Sequence, residues 1–211
     1  MQLARLNDDV TMEQFMATLQ EDPEAAIPMV TLHGGVGELP KGASGRVAVD
    51  LPEGQYVLIC LIPSADGVPH LAKGMIKPLQ VVAKSSAEVV EAPQADVEIA
   101  AKDFNFILPE EIKSGAQTWK ITNEGPQPHE MMIYKLAPNM TVADVQSYMQ
   151  TMEGPPPFEP VGGLQGIMMG DTGYLDLDLE AGNYFATCFI PDPASGKSHL
   201  DLGMLVQFEV Q

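Results

Sequence analysis

Two cysteines, Cys60 and Cys188, occur in the 211-residue chain, and each stands in the same company. Cys60 is followed by Pro63, His70, Gly74 and Met75, and Cys188 by Pro191, His199, Gly203 and Met204. Nine residues separate Cys60 from His70 and ten separate Cys188 from His199; four separate histidine from methionine in both places. Thiol, imidazole and thioether are the side chains that ligate soft and borderline metals. A cysteine taken alone is more often a small buried hydrophobe. The two thiols can also pair with each other. There is no CxxC for zinc or redox work, and no Gly-x-Ser-x-Gly, P-loop or HExxH.

The two loops belong to a longer internal repeat, GRVAVDLPEGQYVLICLIPSADGVPHLAKGM at 45–75 against GYLDLDLEAGNYFATCFIPDPASGKSHLDLGM at 173–204. Each copy reads as a strand, a tight turn, and a second strand ending at cysteine. A polar loop and a final strand follow. Tyr56 matches Tyr184. Upstream, LNDDVTMEQFMATL matches LAPNMTVADVQSYM. Thr11 with Gln14, and Thr141 with Asp144, predict a capping box and a short helix in each copy, near 11–19 and 141–152. Residues 97–130 have no counterpart in the first copy and read as two or three strands. There Val97 and Ile99 alternate with Glu98, and Trp119 and Ile121 with Thr118 and Lys120. Aligning the helices sets Met1 opposite Met131. The small, polar stretch AKSSAEVVEAPQA reads as a linker. The expected organisation is 1–84, a linker at 85–94, and 95–211.

The run DFNFILPEEIKSGAQTWKITNEGPQPHE, together with the closing YFATC, His199 and Gly203-Met204, resembles the cupredoxins, the plastocyanin-like blue copper family. The resemblance covers most of residues 95–211. It implies an all-β fold of two cupredoxin-like Greek-key β-sandwich domains, the first lacking its initial strands, each with one short helix. It also implies a copper site made by His129, Cys188 and His199, with Met204 as a weak axial ligand and Asn123 bracing the loop before the first histidine. Cys60, His70 and Met75 form a degenerate first-copy site with no partner equivalent to His129; His33, in the Gly-rich TLHGG loop, is a candidate to swing in. The sequence departs from the family in the ten residues Phe189–Ser198, where only a few are usual, and in Glu130, where an asparagine is common. The PDPASGK stretch is turn-forming and can bulge outward or draw His199 away.

Two functions follow from that resemblance: an electron carrier with one blue copper, or a metal-free cupredoxin-like binding or scaffold module of an exported protein. An enzyme is not expected. Four histidines with no His-x-His pair are too few for a trinuclear oxidase cluster. The formal charge of -18 excludes nucleic acid as a partner and suits a redox partner with a basic surface. The 13 methionines invite a copper-trafficking reading, but most fall in strand and helix patterns where they fill a core; Met168 and Met169 form a loop pair. No apolar run approaches the ~20 residues of a membrane span, and no signal peptide opens the chain, whose family setting is periplasmic or extracellular. An incomplete first domain exposes one face of its sheet. A fragment origin with a homodimer contact, or packing between the two domains, is the expected remedy.

Overall fold

Alternation of apolar and polar residues builds most of the strands. In β6 (Val97–Lys102) the side chains of Val97, Ile99 and Ala101 are buried and those of Glu98 and Lys102 exposed. In β8 (Gly115–Asn123) Trp119 and Ile121 point inward in the same way. The computed structural model describes residues 1–83 and 90–211, with Glu24 described by its backbone alone. Part of the expected linker, residues 85–89, lies outside the described residues.

The other strands are β1 (Gln2–Leu6), β2 (Val30–Leu32), β3 (Arg46–Val49), β4 (Gly54–Ile59), β5 (Ile76–Val81), β7 (Asn105–Ile107), β9 (His129–Leu136), β10 (Phe158–Ile167), β11 (Thr172–Leu179), β12 (Gly182–Thr187) and β13 (Leu205–Val210). Among the described residues these strands form three sheets. β10-β9-β12-β13 lies against β3-β11-β8-β6-β7, and β2-β1-β4-β5 forms a third sheet in the order of the first. The fold is an all-β sandwich. Its core runs between the two facing sheets, from Trp119 and Ile121 on one to Met131, Ile133 and Tyr184 on the other. β6 pairs parallel with β8, whereas the remaining ladders are antiparallel.

Helices cover the outer faces. α1 (Met12–Glu21) lays Phe15 on Ala4, Leu6, Val57 and Ile59. α3 (Val142–Thr151) lays Val145 on a cluster with Met132, Tyr134 and Phe185. A one-turn α2 (Pro23–Ala26) follows the first. Both helices open on the capping boxes expected from Thr11-Gln14 and Thr141-Asp144. The Asp144 carboxylate accepts from the Thr141 amide at 2.8 Å and from its hydroxyl at 2.7 Å. These bonds hold the Asp144 carboxyl below its ordinary value. Thr141→Ala is expected to cost about 1 kcal/mol in urea denaturation at neutral pH. Because the folded pKa is the lower one, the stabilisation by this carboxylate is present above the unfolded value, about 3.9, and is lost as pH falls below it. The penalty should therefore shrink under acid; a penalty independent of pH would contradict this account.

The two halves meet along two strand edges. β3 pairs with β11, so that Val47 faces Leu175. The stretch after β2 runs beside β10, with bridges His33 to Ile167 and Val36 to Leu164. The Gly37 amide donates to the Gly163 carbonyl at 2.8 Å and the Gln165 amide to the Gly35 carbonyl at 2.9 Å. Glycine is required here: a Cβ on Gly37 would lie 2.8 Å from the Gly163 Cα. The buried Gln2 amide ties the seam by donating to the carbonyls of Gly34 and Gly166 at 3.1 and 3.0 Å. First-half strands thus pair with second-half strands along this seam.

Candidate metal centre

His129 opens β9, and the turn before it is braced from within. Asn123, fully buried at the end of β8, donates to the carbonyls of Gln127 and Ile167 at 2.8 and 3.0 Å, and its side-chain oxygen accepts from the Gly125 amide at 3.0 Å. Gly125 has no room for a side chain, because a Cβ there would lie 2.5 Å from Asp103 Oδ1 and 2.9 Å from His129 Nε2.

Cys188 directly follows β12, and His199 and Met204 come from the loop leading to β13. The ten intervening residues do not draw His199 away. The loop is closed at its root, where the His199 amide donates to Ile190 O at 2.9 Å and the Leu200 amide to Cys188 O at 2.8 Å. Beyond that root, Asp192 accepts from the Ser195 amide and hydroxyl at 2.8 and 2.6 Å and knots the insertion into a turn of its own. Met204 is held by its backbone: its amide donates to His199 O at 2.8 Å, and its carbonyl accepts from the Thr187 hydroxyl at 2.9 Å.

Three donor atoms converge. His199 Nδ1 lies 3.1 Å from His129 Nδ1 and 3.4 Å from Cys188 Sγ. The ligand atoms of His129, Cys188 and His199 all fall within 4.8 Å of one another. Cys188, His199 and Met204 are fully buried and His129 is 1% exposed. The ring of Phe104 stands edge-on to His199 at 5.0 Å.

The outward nitrogens are also engaged. His129 Nε2 lies 2.7 Å from Asp103 Oδ1, and His199 Nε2 lies 3.0 Å from Gln127 Oε1. Both partners are acceptors, so they assign the ring proton to Nε2 in each neutral imidazole. Both Nδ1 lone pairs then face each other and the thiol. The thiol, 3.4 Å from His199 Nδ1, has a single hydrogen for the two lone pairs, an arrangement that a bound cation relieves.

Electrostatics agree with this assignment. Burial lowers the pKa of His129 against the pull of Asp103. Burial, then the neighbouring His129, lowers that of His199. Both rings therefore keep their lone pairs at neutral pH. Burial, then the charge of Glu130, pushes the Cys188 thiol up to about 12. Glu130 is itself raised to about 7 by burial, and it accepts from the Phe189 amide at 3.0 Å. The pocket disfavours an isolated thiolate and suits one compensated by a metal.

The first-half residues form a smaller group. Cys60 Sγ lies 3.5 Å from His70 Nδ1, while Met75 is 45% exposed. Among the described residues, no third His, Cys, Asp or Glu joins Cys60 and His70 in such a cluster. His33 is engaged by Thr31 at 3.1 Å, by Asp171 at 3.5 Å and edge-on by Tyr56.

No family model and no curated protein sequence matches the chain. Solved structures do. Auracyanin A, titled a "blue" copper protein from the green thermophilic photosynthetic bacterium Chloroflexus aurantiacus, is 15% identical over 54% of this chain and 96% of its own, with a TM-score of 0.36. Reduced rusticyanin is 24% identical over 55% and 77%, with a TM-score of 0.30. A multi-copper oxidase from Pediococcus acidilactici is 13% identical over 64% and 31%, with a TM-score of 0.29. In this all-β sandwich the donor residues gather from β9 and from the loop between β12 and β13. Asp103 and Gln127, which engage the two histidine rings, carry no motif of their own; the turn residues beside each, Phe104 and Pro126, were the available signal.

Proposed function

We propose that this protein is a copper-binding electron-transfer protein with one mononuclear site in its C-terminal half. His129 Nδ1, His199 Nδ1 and Cys188 Sγ would hold the metal, with Met204 as the axial thioether. The observation that carries this reading is the pair of facing Nδ1 lone pairs beside a buried thiol, each ring fixed by an acceptor on its far nitrogen. Bound copper would supply a one-electron couple. The chain's own residues do the rest. Asp103 and Gln127 hold the rings, Asn123 holds the loop, and burial excludes water from the donors. Donors fixed in advance keep the geometry common to both oxidation states, which limits reorganisation. The fully buried His199 edge, covered by Phe104 and Gln127, places the site behind a layer of side chains.

We further read the chain as two units, 1–84 and 95–211, joined by a linker at 85–94. Support comes from the common order of the sheets β2-β1-β4-β5 and β10-β9-β12-β13. A partner with a basic surface complements the charge of -18. An exported, periplasmic or extracellular setting follows from the resemblance; among the described residues no helix is long and apolar enough to cross a membrane. No catalytic role is assigned.

Equilibrium dialysis against Cu(II) tests the proposal. One copper per chain is expected, retained in Cys60→Ala and lost in Cys188→Ala. Equal retention by both variants would place copper elsewhere, and no retention by the intact chain would leave the metal-free module as the reading.

A further inference from the structure

We propose that the first half presents a docking site for a β-strand of a partner polypeptide, made by the outer edge of β3 and the inner face of the sheet β2-β1-β4-β5. The proposal rests on strand pairing and is independent of copper. Tyr56 and Tyr184 stand 128 positions apart, and each hydroxyl donates at 2.8 Å to the carbonyl four residues before it, Pro52 and Glu180. On that spacing Val47 corresponds to Leu175 and Val36 to Leu164, and both pairs face each other across the seam. Arg46 faces Asp176 and Ala48 faces Tyr174, as a two-fold axis through Val47 and Leu175 requires. The reciprocal bonds Gly37 to Gly163 and Gln165 to Gly35 obey the same axis. The halves are therefore arranged like the two subunits of a symmetric dimer.

The symmetry shows what is unmatched. β11 carries β3 on one edge and β8 on the other, and β6 and β7 lie beyond. β3 carries β11 on one edge, and among the described residues no strand lies on the other. The inner faces differ accordingly. Ile133, Leu175 and Ala186 are at most 1% exposed, whereas Leu3, Val47 and Leu58, their counterparts, are only half-buried. An unpaired edge beside a half-covered apolar face is the arrangement that strand addition completes. The occupant is therefore an antiparallel strand that alternates large apolar residues with polar ones, as β8 does with Trp119 and Ile121. A second copy of this chain does not offer its own β8, because that strand is already paired on both edges, by β11 and β6.

The test grafts a copy of residues 95–130 directly ahead of Met1 in the full chain. Arg5 pairs with Tyr56 as Lys135 pairs with Tyr184, so the graft joins at the matching point of the strand. Hydrogen exchange at residues 46–49 is expected to slow at least about tenfold as the edge becomes paired. A control graft with its tryptophan and isoleucines changed to aspartate should give no slowing. Equal exchange in both grafts would overturn the proposal. So would a dimer of the ungrafted chain in which 46–49 are already protected, since the occupant would then be a second copy. If the graft fails to fold, a synthetic peptide spanning 113–124 added to the intact chain takes its place, and unchanged exchange at 46–49 at saturating peptide overturns the proposal.

Discussion

Trp119→Ala is expected to remove about 3–5 kcal/mol of stability, the largest loss of any single truncation in this fold. The indole is fully buried at the centre of β8, beside Val97 of β6 and Leu175 of β11 in register, and it leans on Phe208 at 5.7 Å. Its Nε1 donates to Gln117 Oε1 at 2.8 Å, so truncation removes the packing and this bond together. Urea denaturation of the full chain measures the effect. Trp119→Phe keeps most of the volume and should lose clearly less. Equal losses for the two variants would mean that the hydrogen bond, and not the filled volume, dominates.

Asp103→Ala is expected to weaken copper binding by about 10–100-fold while leaving the fold intact. The carboxylate does not belong to the donor set. It accepts from His129 Nε2 at 2.7 Å and so keeps the Nδ1 lone pair directed at Cys188 and His199. Without it, the His129 proton is free to move to Nδ1 and bond the His199 nitrogen 3.1 Å away, which closes the site to a metal. Asp103→Asn, which retains an acceptor oxygen but no charge, should fall between the two. Competition against a chelator of known affinity gives the constants. Unchanged affinity in Asp103→Ala would show that packing alone orients the ring.

Much of this was legible in the sequence, for reasons that can be traced to particular residues. Thr141 and Asp144 announce a helix start because the box is a local contact, three residues long. Trp119 and Ile121 announce an inward face because a strand alternates with period two. Cys188, His199 and Met204 stood out because the same residue types recur around Cys60. Alternation does not say which strand lies alongside. β3 reads as a strand in Arg46–Val49, but its pairing with β11, 128 positions from Val47 to Leu175, is a choice between sheets that no local pattern records. Asp103 was invisible for a related reason. It meets His129 only because the turn after β6 folds over the end of β9. The ten-residue insertion was ambiguous because its closure depends on backbone bonds across it, His199 N to Ile190 O and Leu200 N to Cys188 O.

The central claim is most directly tested by the visible absorption spectrum of the full chain after addition of one equivalent of Cu(II). An intense thiolate-to-copper charge-transfer band is predicted, bleached by a one-electron reductant, restored on reoxidation and absent from Cys188→Ala. A chain that binds no copper, or binds it without that band, would contradict the electron-transfer account.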